Sequence, residues 1–162
     1  MTATDPATAL PFVDEHAVEV AAAPERVWDA LVAWVGRPPR PRSERIAALL
    51  GCRERGMNGL AGEEGSTIVG FRVVRSEAPA SLALAGRHRF SDYALTFQID
   101  DLGEGRSRLS ATTRAAFPGA TGRAYRALVI GTRGHVWAVR SILAAVRRRA
   151  EGSAPGPLRF GA

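Results

Sequence analysis

The spacing of apolar residues along the chain changes period several times. In "DEHAVEV", His16, Val18 and Val20 share one phase and Glu19 takes the other, which predicts a short strand. From Val27 the spacing becomes helical. Val27, Trp28, Leu31, Val32 and Val35 form one stripe, and Pro24 suits the first turn, where its missing N–H costs nothing. Gly36 and the prolines of "GRPPRPR" end this helix. Residues 37–65 carry little period. Ser43 is placed to cap a short helix, "ERIAALL", which Gly51 stops; "CRERGMNGLAGEEG" then reads as a loop.

From residue 66 the period is two. Val69, Phe71 and Val73 share one face, "EAPA" turns the chain, and Leu82, Leu84, Gly86, His88 and Phe90 share the next phase. "SD" is read as the following turn, with Asp92 shaping it. Tyr93, Leu95, Phe97 and Ile99 then alternate with Thr96, Gln98 and Asp100. After "DLGEG", the inward residues are Leu109, Ala111, Thr113 and Phe117, and the outward ones are Arg108, Ser110, Thr112 and Arg114. This regularity predicts an antiparallel meander with one solvated face. Pro118 and Gly119 end it. Thr121 is placed to cap a last helix running to about Ala150, with Leu128, Thr132, His135, Val136, Val139, Ile142, Leu143 and Val146 on one broad face. Arg126, Arg133, Arg140 and Arg147 lie on another, and Trp137 falls among them. Gly131 and Gly134 interrupt the helix, so a kink or close approach is expected there. The expected organisation is a flexible N-terminus (1–11), a single domain (12–150) with a variable insert (37–65), and a disordered tail (151–162).

Composition narrows the function classes. A chain of 162 residues suits one domain with one core. No apolar run approaches the ~20 residues of a membrane span, and "MTATDPATALPF" has no signal-peptide pattern. One cysteine, Cys52, excludes an internal disulfide, and three scattered histidines without CxxC argue against structural zinc. No metal and no cofactor are expected, and a cytoplasmic location is. All 22 basic residues are arginine, which excludes lysine Schiff-base chemistry. Residues 121–150 hold seven arginines and no acid, a segment able to attract an anionic partner or surface.

A strand, a helix that starts at "APERVWDAL", a meander and a final long helix resemble the START/SRPBCC superfamily, which includes polyketide cyclase/dehydratase-like proteins and lipid-transfer domains. The matching text is "VEVAAAPERVWDAL", "GFRVVRSEAPASLALAGRHRFSDYALTF" and "TTRAAFPGATGRAYRALVIGTRGHVWAVRSIL". The resemblance implies an α+β helix-grip fold: a curved antiparallel sheet around a long C-terminal helix, with a cavity between them for apolar or amphipathic small molecules. It supplies no shared catalytic motif.

Phase then selects the candidate site. Phe71, Leu84, His88, Tyr93, Leu95, Phe97 and Thr113 from the strands, with Leu128, Thr132, His135 and Val139 from the helix, are expected to line the cavity and bind the ligand. Gly86 and Ala111 would leave room beside the helix. His88, His135 and Tyr93 are the candidates for proton transfer, since histidine titrates near neutral pH. The commoner role of an inward histidine is a satisfied core or rim residue. No acid has inward phase between 66 and 117, so a dyad would need Asp14, Glu63 or Glu64 from loops. Ligand binding is therefore preferred to a cyclase/dehydratase-type reaction. The arginine face lacks interleaved aromatics and nucleic-acid motifs, so no specific nucleic acid is expected. Trp137 is expected to be covered by arginine stems or turned inward by a kink, and the chain to be a monomer or weak homodimer.

Overall fold

The computed structural model describes residues 9–131 and 133–152, with the side chains of 128–131 excluded. The elements, in chain order, are β1 (Phe12–Val20), α1 (Pro24–Val35), α2 (Pro41–Leu50), β2 (Thr67–Ile68), β3 (Phe71–Glu77), β4 (Ser81–His88), β5 (Ser91–Gly103), β6 (Arg106–Ala116), α3 (Gly119–Gly131) and α4 (Gly134–Gly152). The strands form one antiparallel sheet in the order β1-β6-β5-β4-β3-β2. The alternation read from the sequence is therefore the pleat of a curved meander, and the whole is an α+β helix-grip arrangement.

Register assembles the concave face row by row. One row runs Asp14, Thr113, Leu95, Leu84, Val73; the next runs His16, Ala111, Phe97, Leu82. A third runs Ala115, Tyr93, Gly86 toward the end of the sheet beneath α3. Helices α1 and α4 close the first two rows. Leu31, Phe97, Leu109 and Leu143 are fully buried, and Leu84, Leu95 and Val139 pack in the same core. Burying side chains of this size contributes about 1.5–3 kcal/mol each, which is why these rows are fixed. On the convex face, Leu10 and Val74 pack on Ala83 and Ala94.

The corner after β1 clamps the far end of α4. Glu151 Oε1 accepts the Ala21 N–H at 3.1 Å, Arg26 donates to the Ala150 carbonyl at 3.0 Å, and buried Ser107 donates to the Ala22 carbonyl at 2.7 Å.

Several expectations are corrected. The last helical stretch is two helices: α3 starts at Gly119, before Thr121, and ends at Gly131, while Arg133, at φ 56°, supplies the carbonyl that accepts the Trp137 N–H in α4. The β4–β5 turn is Arg89–Phe90, not "SD". The His88 ring closes it by accepting the Phe90 N–H on Nδ1 at 3.1 Å. Asp92 consequently lies in β5 and pairs with Arg87 at 3.0 Å. Helix α2 begins at Pro41, and Ser43 Oγ bonds back to the Arg40 carbonyl instead of capping. The segment after α2 is anchored. Arg72 holds Glu54 through two nitrogens and Gly65 through its carbonyl, and Ser76 N–H donates to Glu64 Oε1.

Candidate functional site

Two clusters, one polar and one aromatic, occupy the concave face. The first is built on Asp14, which sits within β1 and not in a loop as expected. Its Oδ2 accepts a hydrogen bond from His135 Nε2 at 2.6 Å and another from His16 Nε2 at 3.2 Å. The three side chains are 21%, 14% and 17% exposed. The carboxylate partner that strand phase failed to supply between 66 and 117 thus comes from β1, across the helix interface. Burial pushes the Asp14 carboxyl upward, but the His135 hydrogen bond, the neighbouring Thr113 hydroxyl, the His135 charge and the His16 contact outweigh it, leaving the group below the usual carboxylate range. Thr113 Oγ1 lies opposite on β6 without completing a hydrogen bond. Among the described residues, Thr113 Oγ1, Asp14 Oδ1 and His135 Nδ1 are buried polar atoms without partners. With Nε2 engaged by Asp14, the other ring nitrogen of His135, Nδ1, is left buried without a partner.

The second cluster is aromatic and lies at the third row. Tyr93 reaches across Gly86, donates its hydroxyl to the Gly70 carbonyl at 2.6 Å, and meets Phe71 edge-on at 5.1 Å. A Cβ at Gly86 would lie 2.4 Å from the Tyr93 ring and 2.1 Å from the Gly70 oxygen. The space expected beside Gly86 is therefore filled by Tyr93 itself. His88 packs between Tyr93, at 5.2 Å, and Tyr125, at 4.9 Å, and Tyr125 stacks on Phe90 at 5.4 Å. Gly122 lets α3 approach this closely, since a Cβ there would meet Phe117 backbone at 2.7 Å. All five rings are half-buried. Burial lowers the His88 pKa, against an opposing pull from Asp92, so its neutral form is favoured. Burial and then Cys52 push the Tyr93 hydroxyl well up, and the same two causes raise Tyr125.

The expected site residues divide accordingly. Phe71, His88 and Tyr93 come together with Phe90 and Tyr125; Thr113 and His135 join Asp14 and His16. Leu84, Leu95, Phe97 and Val139 are core packing, while Leu128 and Thr132 lie outside the described side chains. Asp14 shares the parity of His16 and Val18, a signal present in the sequence but attached to a loop. Tyr125 carried no such signal, because α3 diverges from α4 at the glycines. Among the described residues, no group of three or more His, Cys, Asp or Glu has a geometry suited to a metal ion, and no helix is long and apolar enough to cross a membrane.

Two surface grooves flank these clusters. One, about 740 Å³, has His16, Arg133, Trp137 and Arg140 in its wall; the other, about 600 Å³, has Cys52, Arg55, Arg87 and His88. Trp137 is 75% exposed, so neither a kink nor arginine stems cover it as expected.

No family model matches the chain, and no curated protein matches it. Solved structures do. A truncated norcoclaurine synthase from Thalictrum flavum superposes with TM-score 0.54 at 14% identity, over 86% of this chain and 94% of that one. The Zhui aromatase/cyclase from Streptomyces sp. R1128 gives TM-score 0.53 at 18% identity, over 88% and 98%. CalU16 from Micromonospora echinospora gives 0.50 at 17%, over 88% and 76%. The chain shares the fold of these three structures.

Proposed function

We propose that the chain binds an apolar or aromatic small molecule on the concave face beneath α3. The observation that carries this reading is the convergence of Phe71, His88, Phe90, Tyr93 and Tyr125, all half-buried, at the end of an otherwise aliphatic face. Partly exposed rings suit a flat apolar ligand, which gains stacking and burial at once. The fold shared with an aromatase/cyclase and a norcoclaurine synthase is compatible with such a ligand. Titration with the neutral dye N-phenyl-1-naphthylamine tests it. Saturable fluorescence enhancement is expected, weakened about fivefold or more by Tyr125→Leu, since one stacked ring is worth about 1 kcal/mol. No saturable binding of any neutral apolar probe would refute it.

The Asp14–His135 contact favours a second reading, an enzyme of the cyclase/dehydratase kind. In this reading Asp14 holds the His135 ring through Nε2, and Nδ1, buried in the ligand-free chain, becomes accessible when substrate enters and takes a proton from carbon beside a carbonyl. The resulting imidazolium returns that proton to a departing β-hydroxyl, releasing water and an enone. Incubation with 4-hydroxy-4-phenylbutan-2-one would then raise conjugated-enone absorbance, and His135→Gln would abolish the increase. An unchanged rate in that variant would rule the reading out.

A further inference from the structure

The groove between β1 and the outer side of α4 is separate from the aromatic cluster beneath α3. Its volume, about 740 Å³, falls within the range of small-molecule sites, roughly 300–1,000 Å³. Arg133, Trp137, Arg140 and Ala144 follow one another at helical spacing along one wall, and His16 faces them from β1. Arg133 and Arg140 are about 10 Å apart along the helix axis, with the indole between them.

Three features separate this groove from ordinary arginine-coated surface. Trp137 is 75% exposed, although tryptophan is seldom left so open. Among the described residues, neither Arg133 nor Arg140 has an acidic partner, whereas Arg72, Arg87 and Arg147 each pair with a carboxylate. Asp14, the acid that contacts His16 of the groove, is already engaged by His16 and His135. The wall therefore offers a bare aromatic face bracketed by uncompensated guanidinium groups, in a segment, 121–150, that contains no acid.

We propose that this groove binds a flat aromatic carboxylate, with the ring stacked on Trp137 and the carboxylate held by Arg133 or Arg140. The chemistry of the wall selects this class. A guanidinium matches a carboxylate through two parallel hydrogen bonds, and an indole face matches a planar apolar ring. Inorganic phosphate would satisfy the arginines and leave the indole bare. A neutral ring would cover the indole and leave the arginines unmatched. A second copy of the chain, packed about a two-fold axis, would set the same arginines against each other.

The test uses the full chain and two ligands of one shape, 1-naphthoate and 1-naphthamide, titrated by calorimetry. The acid is expected to bind about tenfold or more tighter than the amide, because its hydrogen bonds to the guanidinium are charge-assisted. The Arg133→Gln/Arg140→Gln double variant should remove that preference while leaving the amide and N-phenyl-1-naphthylamine affinities unchanged. Trp137→Ala should weaken both naphthyl ligands and leave the neutral dye unaffected. These three positions are exposed, and unchanged thermal melts would show that the variants fold. Equal affinity for acid and amide would overturn the proposal. So would naphthoate binding that survives Trp137→Ala or is lost only with Tyr125→Leu, or light scattering that finds a dimer with Trp137 buried. Failure of the dye to bind at all would touch the aromatic cluster alone and leave the naphthoate result to stand or fall by itself.

Discussion

Replacing Asp14 and His135 separately and together measures what their contact contributes. The 2.6 Å hydrogen bond joins a depressed carboxylate to an imidazole, both mostly shielded from water. Hydrogen bonds to charged groups contribute about 1.5–3 kcal/mol against about 0.5–1.5 kcal/mol for neutral pairs. Asp14→Asn keeps the shape and one acceptor oxygen but removes the charge, so the difference between those ranges, about 1–1.5 kcal/mol, is the expected coupling with His135→Gln. His16 shares Oδ2 and would recover part of the loss, which holds the figure to the lower half of that range. With a urea dependence of about 2 kcal/mol per molar, the coupling appears as roughly 0.5 M in the unfolding midpoint. The assay is urea unfolding of the four proteins at pH 7, combined as a double-mutant cycle. The pH dependence has a definite sign. A carboxyl held below its unfolded value of 3.8 contributes stability that is complete above that value and is lost as pH falls through the folded value. Asp14→Asn should therefore flatten the acid limb of the stability curve. Additive single effects at pH 7, within about 0.3 kcal/mol, would refute the view that these residues act as a pair.

Other expectations follow from single contacts. Gly86→Ala drives a Cβ against the Tyr93 ring and the Gly70 carbonyl, and should cost at least about 2 kcal/mol in unfolding experiments, with a changed near-ultraviolet circular dichroism signal. Because burial lowers the His88 pKa, the folded state resists its protonation; stability should drop as pH falls below 6.5, and His88→Gln should remove that component of a pH series of thermal melts. Glu151→Gln weakens the acceptor that holds the Ala21 N–H and Arg147, and should lower the melting temperature by about 1–3 °C, an effect that fades in wild-type comparison as pH falls below 4.5.

What the sequence reveals depends on how local each determinant is. Strand phase is local: a residue and the one two places on face the same side, so Leu82, Leu84, Tyr93, Leu95, Phe97 and Leu109 were assigned to the concave face correctly. The β4–β5 turn was misplaced because Ser and Asp favour turns, while the deciding bond, from the Phe90 N–H to the His88 ring, cannot be read from propensity. Asp14 and His135 are 121 positions apart, and only the packing of α4 on β1 brings them together. The division of the last helix was legible as two interrupting glycines. Its consequence, Tyr125 stacked on Phe90 over His88, was not, because it depends on the angle at which α3 leaves the sheet. Trp137 was correctly placed among the arginines, yet its cover was wrongly expected: helix phase fixes a direction, not the presence of a neighbour.

The central claim, a small apolar or aromatic ligand held beneath α3, is tested most directly by a crystal structure of the chain with N-phenyl-1-naphthylamine. The account predicts density for the dye against Tyr93, His88 and Tyr125, with Tyr125 displaced from its stack on Phe90. Dye bound elsewhere, with those rings still packed 4.9–5.4 Å apart, would contradict it.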